Sequence, residues 1–364
     1  MSNINDNNDK TQIASLDSST KKTSSIHKQN LLGKKISDRY LIEELIGQGG
    51  MCYIYRARDT FLENNGRSEA SVAIKVLQEE FSNSEEAISL LKDETAKTQQ
   101  LAHPSIVKVY SADSDGDLYY VTMELIEGET LEQIIKRNKP SGLAFKKAKI
   151  ILEQLTDALI YAHSRGVIHN DLKPSNIIFD SNGNLKVLDF GIAKHKSLDD
   201  QYAVKNESEF ATIGGYTPTY ASPEQLKGGE ASIKDDVFSF ACIAYELLSS
   251  KHPFNRIAAD KVPKNTTVKK PSNCPLLLWK NLHKALSLSA SQRLDSLEQI
   301  SKTLKVNLKP AIFASVASVA IIALITQNYF SSSDNTKQLQ AQLDNAKAIN
   351  QQVEAWMSWQ GPTI

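Results

Sequence analysis

The stretch that decides the fold is Val167-Ile168-His169-Asn170-Asp171-Leu172-Lys173-Pro174-Ser175-Asn176-Ile177-Ile178-Phe179. Its polar side chains stand between two apolar runs typical of β-strands, so we expect them on a loop, where polar groups are seldom structural filler. Asp171 can accept a proton from an attacking hydroxyl, and Lys173 can neutralise a phosphate. The side-chain oxygen of Asn176 is a hard ligand of the kind that Mg²⁺ prefers.

Two further motifs follow this loop. After an Asn182-Gly183 turn, the run Lys186-Val187-Leu188-Asp189-Phe190-Gly191 ends a predicted strand with the carboxylate of Asp189, a second hard ligand. The tetrapeptide Ala221-Ser222-Pro223-Glu224 comes later, with its glutamate 35 residues beyond Asp189. The sequence thus supplies two oxygen ligands for a metal ion and one candidate proton acceptor.

A lysine lies inside an apolar strand nearer the amino terminus, in Val72-Ala73-Ile74-Lys75-Val76. A lysine flanked by β-branched residues on a half-buried strand needs an anionic partner. Glu94, in a helix predicted from Glu85 to Leu101, is the candidate for that partner. The alternative interpretation of the pentapeptide is a surface lysine on an edge strand.

A glycine-rich turn precedes this strand. Residues 40–46 and 52–57 have the pattern of strands, and Gly47-Gln48-Gly49-Gly50-Met51 connects them. Without Cβ atoms, such a turn lets backbone N–H groups approach phosphate oxygens. An ordinary hairpin turn is the alternative. A dinucleotide-binding motif is excluded, because a strand and not a helix follows the glycines.

In this order, the glycine-rich hairpin, strand lysine, helix glutamate, His-x-Asp-x-Lys-x-x-Asn, Asp-Phe-Gly and Ser-Pro-Glu resemble the protein kinase superfamily. Within it, the sequence resembles bacterial serine/threonine kinases of the membrane-anchored, eukaryotic-like type. The resemblance covers about residues 40–305. It implies an α+β, bilobal fold, with an antiparallel sheet and one helix in the N-lobe and a mostly helical C-lobe, and ATP and Mg²⁺ as cofactors, with Mn²⁺ able to substitute.

The resemblance also implies roles for the polar residues. Asp171 would be the catalytic base that aligns a Ser or Thr hydroxyl of a protein substrate, and Lys173 would assist it at the γ-phosphate. Lys75, oriented by Glu94, would hold the α- and β-phosphates of ATP. The resemblance therefore implies a non-specific serine/threonine protein kinase that also phosphorylates itself.

The resemblance further implies which residues form the nucleotide and metal sites. Asn176 and Asp189 would hold the magnesium ions. Met123 would close the back of the adenine pocket, residues 124–126 would form the hinge that meets the base, and Glu127 would lie near the ribose. The complete nucleotide-binding set is Ile46, Gly47, Gln48, Gly49, Gly50, Ile54, Ala73, Lys75, Met123, Glu124, Ile126, Glu127 and Ile178.

Three features depart from the family pattern. Cys52 stands in place of the third glycine of the loop, and a polar insert at residues 61–71 is expected to lengthen a hairpin tip. Asn170 replaces the arginine that binds a phosphorylated activation loop, and asparagine cannot make that charge-assisted bidentate contact. We therefore predict activity that depends less on phosphorylation of the activation loop, whose candidate sites are Ser197, Ser208 and Thr212.

By the same resemblance, three structural contacts are expected in the C-lobe. Glu224 should pair with Arg293. Asp236, on a buried helix predicted from Asp235 to Ser249, should anchor the catalytic loop. Thr217 should tie the substrate-binding loop to Asp171.

Composition limits the other function classes. The 364 residues contain 42 Lys and Arg and 42 Asp and Glu, so the zero net charge provides no general field for nucleic acid, and no nucleic-acid partner is expected. Three widely spaced cysteines argue against a disulfide framework or a zinc site and favour a reducing compartment.

The two ends differ from the central domain. Residues 1–35 are polar and are expected to be a disordered tail. Residues 310–330 contain no charge and would measure about 31 Å as a helix, which predicts a single transmembrane helix; a buried or docking helix is the alternative. Lys302, Lys305 and Lys309 flank its amino-terminal side, so the positive-inside rule puts the kinase domain in the cytoplasm, at the inner membrane.

Residues 331–364 would then form a short extracytoplasmic tail. Apolar residues recur in it at helical spacing, which predicts either a self-associating helix that makes the chain a homodimer or a frayed solvated tail. Two other function classes remain as alternatives. One is a nucleotide-binding pseudokinase, and the other is a membrane-linked scaffold.

Overall fold

The computed structural model describes residues 31–49, 51–66, 70–190, 218–263, 265–306, 322–324 and 336–358. The chain divides into two compact units, residues 1–304 and 305–364. The first unit contains two lobes. The predicted tail before residue 31, Gly50 and the activation-loop residues Ser197, Ser208, Thr212 and Thr217 lie outside the described residues.

The N-lobe is built on a six-stranded antiparallel sheet in the order β1-β2-β3-β4-β6-β5. Its strands are β1 (Lys35–Ile36), β2 (Tyr40–Gln48), β3 (Cys52–Asp59), β4 (Ser71–Leu77), β5 (Val109–Asp115) and β6 (Leu118–Glu124). The helices of this lobe are α1 (Thr60–Asn64), α2 (Glu79–Ser82) and α3 (Glu85–Gln99).

Strand β4 is buried on both faces, which fixes where its lysine points. Val72, Ile74 and Val76 pack into one apolar cluster with the tyrosines of β3. The intervening residues Ala73 and Leu77 belong to a second cluster, which contains residues of α3. Because side chains alternate along a strand, Lys75 lies on the same face as this second cluster, towards α3.

The prediction of a single helix in the N-lobe was wrong, because α1 and α2 accompany α3. The insert after β3 begins with α1, whose start is set by the Asp59 carboxylate accepting hydrogen bonds from the backbone N–H groups of Phe61 and Leu62. These helices contain only five and four residues. Such lengths are too short to show the 3.6-residue periodicity on which the prediction relied.

The C-lobe is mostly helical around one large apolar core. Its helices are α4 (Leu131–Arg137), α5 (Phe145–Ser164), α6 (Pro223–Leu226), α7 (Ile233–Ser249), α8 (Leu276–Ala285) and α9 (Glu298–Lys305). A small antiparallel sheet of β7 (Gly128–Thr130), β8 (Ile177–Asp180) and β9 (Leu185–Val187) carries the loops of the site. Helix α7 is buried on almost every face, as its continuous apolar run requires.

The second unit contains helix α10 (Thr336–Ser358). Within the described part of the chain, no helix is both long and apolar enough to cross a membrane. Apart from residues 322–324, the predicted span at 310–330 lies outside the described residues.

Candidate active site

Three residues that are far apart in the sequence meet at one ammonium group between the lobes. The Lys75 Nζ atom lies 2.9 Å from Glu94 Oε1 on α3 and 3.0 Å from Asp189 Oδ1, which follows β9. Lys75 and Glu94 are both buried. The buried position of Lys75 excludes the edge-strand alternative and supplies the anionic partner that the sequence required.

Two carboxylates share this one cation, and their pKa values move in opposite directions. Burial would raise the pKa of Asp189, but attraction and hydrogen bonding from Lys75 hold it below its ordinary value. Burial raises the pKa of Glu94, with Lys75 offsetting only part of the effect. The pKa of Lys75 is well above its ordinary value because both carboxylates outweigh the cost of its burial.

The loop before Asp171 is held from below by Asp236 on α7. The Asp236 carboxylate accepts hydrogen bonds from the backbone N–H groups of His169, at 2.8 Å, and Asn170, at 2.9 Å. The His163 Nε2 atom lies 2.7 Å from the same carboxylate. The Asp236 side chain is fully buried in the apolar core. Its hydrogen bonds therefore hold the loop in a defined position relative to α7.

The catalytic-loop side chains converge on Asp171. The Lys173 Nζ atom donates to Asp171 Oδ2 at 2.7 Å, and the Asn176 amide donates to the Asp171 carbonyl at 3.0 Å. Asn170 and Asp189 both adopt left-handed backbone, with φ values of +65° and +53°. Asn and Asp tolerate this conformation better than most residues, so two sharp turns bring the loops together.

Four of the predicted nucleotide-binding residues come together in one apolar cluster. Ile54, Ala73, Met123 and Ile126 belong to one apolar cluster, in which Ala73 on β4 is the register partner of Met123 on β6. Ile178, on β8, is half-buried, and Ile46 near the end of β2 is exposed. This cluster has the apolar character that a nucleobase site needs.

The glycine-rich turn joins β2 to β3. Gln48 pairs with Tyr53, Gly47 packs directly against the Ile54 side chain, and the Gly49 N–H donates to the Cys52 carbonyl at 2.8 Å. The Cys52 side chain is buried among the apolar residues beneath the turn, and burial raises the pKa of its thiol to about 12. The cysteine therefore packs inward, which leaves the outer side of the turn without its bulk.

The hinge residues make contacts that sequence reasoning missed. The Glu124 carboxylate binds Lys186 Nζ at 2.9 Å, and the Glu124 N–H donates to the Lys108 carbonyl. Glu127, expected near the ribose, forms an ion pair with Arg56 of β3 at 2.8 Å. No local sequence pattern predicts the Glu124–Lys186 or the Glu127–Arg56 ion pair, because each depends on the relative placement of separate strands.

Gln225 is a second residue that sequence reasoning missed. Its side-chain amide donates to the Asn170 backbone carbonyl at 2.7 Å and to Asn170 Oδ1 at 2.8 Å. Gln225 also completes a capping box with Ser222 at the start of α6. The Ser-x-x-Gln spacing was a readable signal for the cap, although not for the contact with Asn170.

The expected contact between Glu224 and Arg293 is present. The Arg293 Nη2 atom lies 2.9 Å from Glu224 Oε2, and the arginine side chain is completely buried. The Nε and Nη1 atoms of the same arginine donate to the backbone carbonyls of Ser287 and Lys234, respectively. The pair connects α6 to the last helices of the C-lobe.

The donor set suits magnesium. Asp189 provides a carboxylate and Asn176 an amide oxygen, which are both hard ligands, and the Asn176 Nδ2 contact with the Asp171 carbonyl fixes which end of the amide is its oxygen. Among the described residues, no group of three or more His, Cys, Asp or Glu side chains could hold a metal ion. Mg²⁺ commonly takes only one or two protein ligands and completes its shell with phosphates and water.

A two-lobed fold with this cleft, shared lysine and anchored His-x-Asp loop defines the protein kinase class. The family model of the protein kinase domain matches residues 40–310, so the chain belongs to the protein kinase family.

Its curated relatives include bacterial serine/threonine kinases. Serine/threonine-protein kinase PrkC of Bacillus subtilis is 38% identical over 225 residues, which cover 62% of this chain and 32% of the relative. Serine/threonine-protein kinase PknD of Protochlamydia amoebophila is 32% identical over 301 residues, covering 74% of this chain and 30% of that protein. The chain thus spans about a third of the length of these relatives.

Among solved structures, the kinase domain of Mycobacterium tuberculosis PknI is similar to this chain. Its crystal structure superposes with a TM-score of 0.56 at 21% identity and covers 75% of this chain and 97% of that chain. At this identity the likeness concerns the fold alone. The same bilobal architecture therefore holds despite extensive sequence change.

Proposed function

We propose that this chain is an ATP- and magnesium-dependent serine/threonine protein kinase. The observation that carries the proposal is the meeting of Lys75 with both Glu94 and Asp189, at 2.9 and 3.0 Å, next to an anchored Asp171. A pseudokinase would need a broken catalytic set, and these residues are all present. The relatives named as serine/threonine kinases support the choice of acceptor.

Each residue of the site has a separate role in phosphoryl transfer, set by its charge and its position. Lys75 provides a fixed cation for the phosphates of ATP, and Asp171 aligns the Ser or Thr hydroxyl and accepts its proton. Lys173, held against Asp171, stabilises the negative charge that develops beside it. Asn176 and Asp189 would hold magnesium, which supplies positive charge to the triphosphate when bound.

The test is transfer of labelled phosphate from ATP to the chain itself and to a generic protein substrate. We expect Lys75→Ala and Asp171→Ala to reduce transfer by at least about a hundredfold, because each removes a group that acts on the reacting atoms. Thermal unfolding of each variant checks that it is folded. Wild-type transfer no faster than that of these variants would mean a nucleotide-binding pseudokinase instead.

We also propose that the catalytic loop needs no activation-loop phosphate to hold it. Gln225 donates to both oxygens of Asn170, so α6 supports the loop at the position where the kinase pattern has the phosphate-binding arginine. Treating the protein with a phosphatase should leave most of the initial rate intact. Loss of most of the activity after treatment would contradict this proposal.

We propose further that residues 310–330 anchor the chain in the cytoplasmic membrane, with the kinase domain in the cytoplasm. The support is the uncharged run of 21 residues and the lysines before it. The chain should stay in the membrane fraction through an alkaline carbonate wash. Truncation after Leu304 should release it without loss of catalysis, and a full-length chain washed into the supernatant would contradict the anchor.

The C-terminal helix α10 supports a homodimer. Leu339, Ala346 and Val353 recur every seven residues and are half-buried, whereas their neighbours on the helix are mostly exposed. A seven-residue apolar repeat over a 23-residue helix is the pattern by which two helices pair. Sedimentation in detergent should show a dimer that Leu339→Asp and Val353→Asp convert to a monomer; a monomeric wild type would exclude this mode.

A further inference from the structure

Helix α8 presents an unusual surface at the base of the C-lobe. One side packs into the core through Leu278, Leu282 and Ala285. The opposite side, here called the α8 face, consists of exposed residues only: Leu276, Leu277, Lys280, His283 and Lys284. Leu276 and Leu277 are 75% and 50% exposed, and both line an open groove together with Trp279, Lys280 and His283.

The surroundings of the α8 face are strongly cationic. Residues 261–294 contain six lysines, one arginine and no Asp or Glu, although the chain as a whole is neutral. Lys270 Nζ donates to the Cys274 carbonyl at 2.8 Å, which places it at the start of α8. The Lys269 carbonyl accepts a hydrogen bond from Tyr245, whose ring contacts Trp279. Two further exposed lysines therefore lie near the first turn of α8 and the ring of Trp279.

The two lysines of the α8 face have no carboxylate paired with them alone in the described part of the chain. Among the residues that the structure describes, neither Lys280 nor Lys284 forms an ion pair. The acidic side chain that acts electrostatically with Lys284 is Asp295, which is itself bound to Lys234 at 2.8 Å. Exposed leucines beside lysines without an ion-pair partner leave apolar surface in contact with water on an isolated domain. The same surface can bind a partner that is both anionic and apolar.

We propose that the α8 face docks on an anionic lipid bilayer. Leucines that enter the boundary of headgroups and acyl chains, flanked by lysines that attract anionic headgroups, are the chemistry of interfacial helices. A lipid surface is favoured over a protein because the face offers charge and apolar area without a carboxylate or amide for specific pairing. This proposal rests on the proposed membrane anchor for its bilayer: residue 310 follows the end of α9 by five residues.

The test uses the full chain with Trp356→Phe and Trp359→Phe, so that Trp279 is the remaining tryptophan. This protein is reconstituted in nanodiscs whose acyl chains carry a bromine quencher. The discs contain phosphatidylcholine alone or mixed with phosphatidylglycerol. We expect Trp279 emission to be quenched in the anionic discs and much less in the neutral discs.

Variants identify the groups responsible. Each lysine near an anionic surface shifts the equilibrium about fivefold, so Lys280→Gln with Lys284→Gln should lower the ratio of docked to free domain about 25-fold. Leu276→Ser with Leu277→Ser should abolish the quenching. Lys92→Gln with Lys97→Gln, which removes two exposed lysines of α3, should leave it unchanged. Since all these residues are exposed, unchanged unfolding temperatures should show that the variants are folded.

Two outcomes with the discs would overturn the proposal: equal emission in neutral and anionic discs, or equal loss of quenching in the α3 control. A shift of Trp279 emission that grows with protein concentration in detergent solution, without discs or bromine, would indicate a second copy on this face and would also overturn it. Failure of the anchor is a separate result, seen as protein washed from the discs by carbonate. In that case the same discs are added to the free chain, and the quenching decides the proposal as before.

Discussion

The two halves of the candidate site are held in different ways. In the C-lobe, Asp236 is buried in one continuous apolar core and binds two consecutive backbone N–H groups of the catalytic loop. In the N-lobe, two smaller apolar clusters lie on either side of the sheet, and Lys75 is shared by Glu94 and by Asp189 of the other lobe. Folding thus presets the catalytic loop, whereas the lysine site depends on how the lobes meet.

The largest expected effect comes from removing the buried carboxylate that holds the catalytic loop in the C-lobe. Asp236→Ala removes the acceptor for two buried backbone N–H groups, which should lower the free energy of unfolding by about 4 kcal/mol. Chemical denaturation measures the loss. Asp236→Asn, which keeps one acceptor oxygen, should recover part of it. An effect below about 1 kcal/mol for Asp236→Ala would show that the loop is held elsewhere.

The next effect also concerns the C-lobe and is a pH dependence. Burial lowers the pKa of His252 to about 4, so the native state holds this ring neutral while the unfolded chain binds a proton below about pH 6.5. The contribution of His252 to stability is complete above pH 6.5 and is lost as pH falls towards 4. By pH 5 the loss should reach about 2 kcal/mol.

Denaturation of the wild type and of His252→Asn at pH 7 and pH 5 checks this dependence. The variant retains a side-chain acceptor for the N–H groups of Phe254 and Arg256. Because asparagine does not titrate in this range, the free energy of unfolding of the variant should fall less between pH 7 and pH 5 than that of the wild type. Equal falls in both proteins would assign the acid sensitivity to other groups.

A smaller effect is expected in the N-lobe, at the ion pair between Lys75 and Glu94. Glu94→Gln keeps the shape of the side chain but replaces one of the two carboxylate partners of the Lys75 ammonium with a neutral amide oxygen. If Glu94 positions Lys75 for ATP, kcat/KM for ATP should fall about tenfold, with little change in unfolding. Glu86→Gln, on the first turn of the same helix, is the matched control and should leave kcat/KM unchanged.

The smallest expected effect is at the contact between α6 and the catalytic loop. Gln225→Glu retains the acceptor of the capping box but cannot donate to Asn170, so activity should fall about fivefold, equivalent to about 1 kcal/mol. Gln225→Ala, which loses the cap as well, should be less stable than Gln225→Glu. Full activity in Gln225→Glu would show that Asn170 needs no support from α6.

The sequence predicted the parts of the site that short motifs encode. Lys75 needed an anion because it interrupts an apolar strand, and Glu94 occurs at a suitable place on the following helix; the structure brings the two together. Helix α7 began two residues before the predicted Asp235 and ended as predicted at Ser249. Strong local periodicity and a buried charge are readable without knowledge of the tertiary structure.

The remaining contacts could not be read in the same way. The Arg56–Glu127 and Gln225–Asn170 pairs join residues whose neighbours in sequence carry no common pattern, and both depend on the relative placement of separate elements. Helix α1 was missed because one capping aspartate, Asp59, specifies a helix of only five residues. Such features depend on tertiary geometry or on a single side chain, and periodicity detects neither.

The thiol beneath the glycine-rich turn has a chemical consequence. Because Cys52 is buried and its pKa is raised to about 12, almost none of it is thiolate at neutral pH, and thiolate is the form that attacks electrophiles. Alkylating agents and oxidants should therefore spare the native protein at this position and modify it after denaturation. Iodoacetamide labelling of Cys52 followed by peptide mass spectrometry would then report opening of the N-lobe, with no engineered probe.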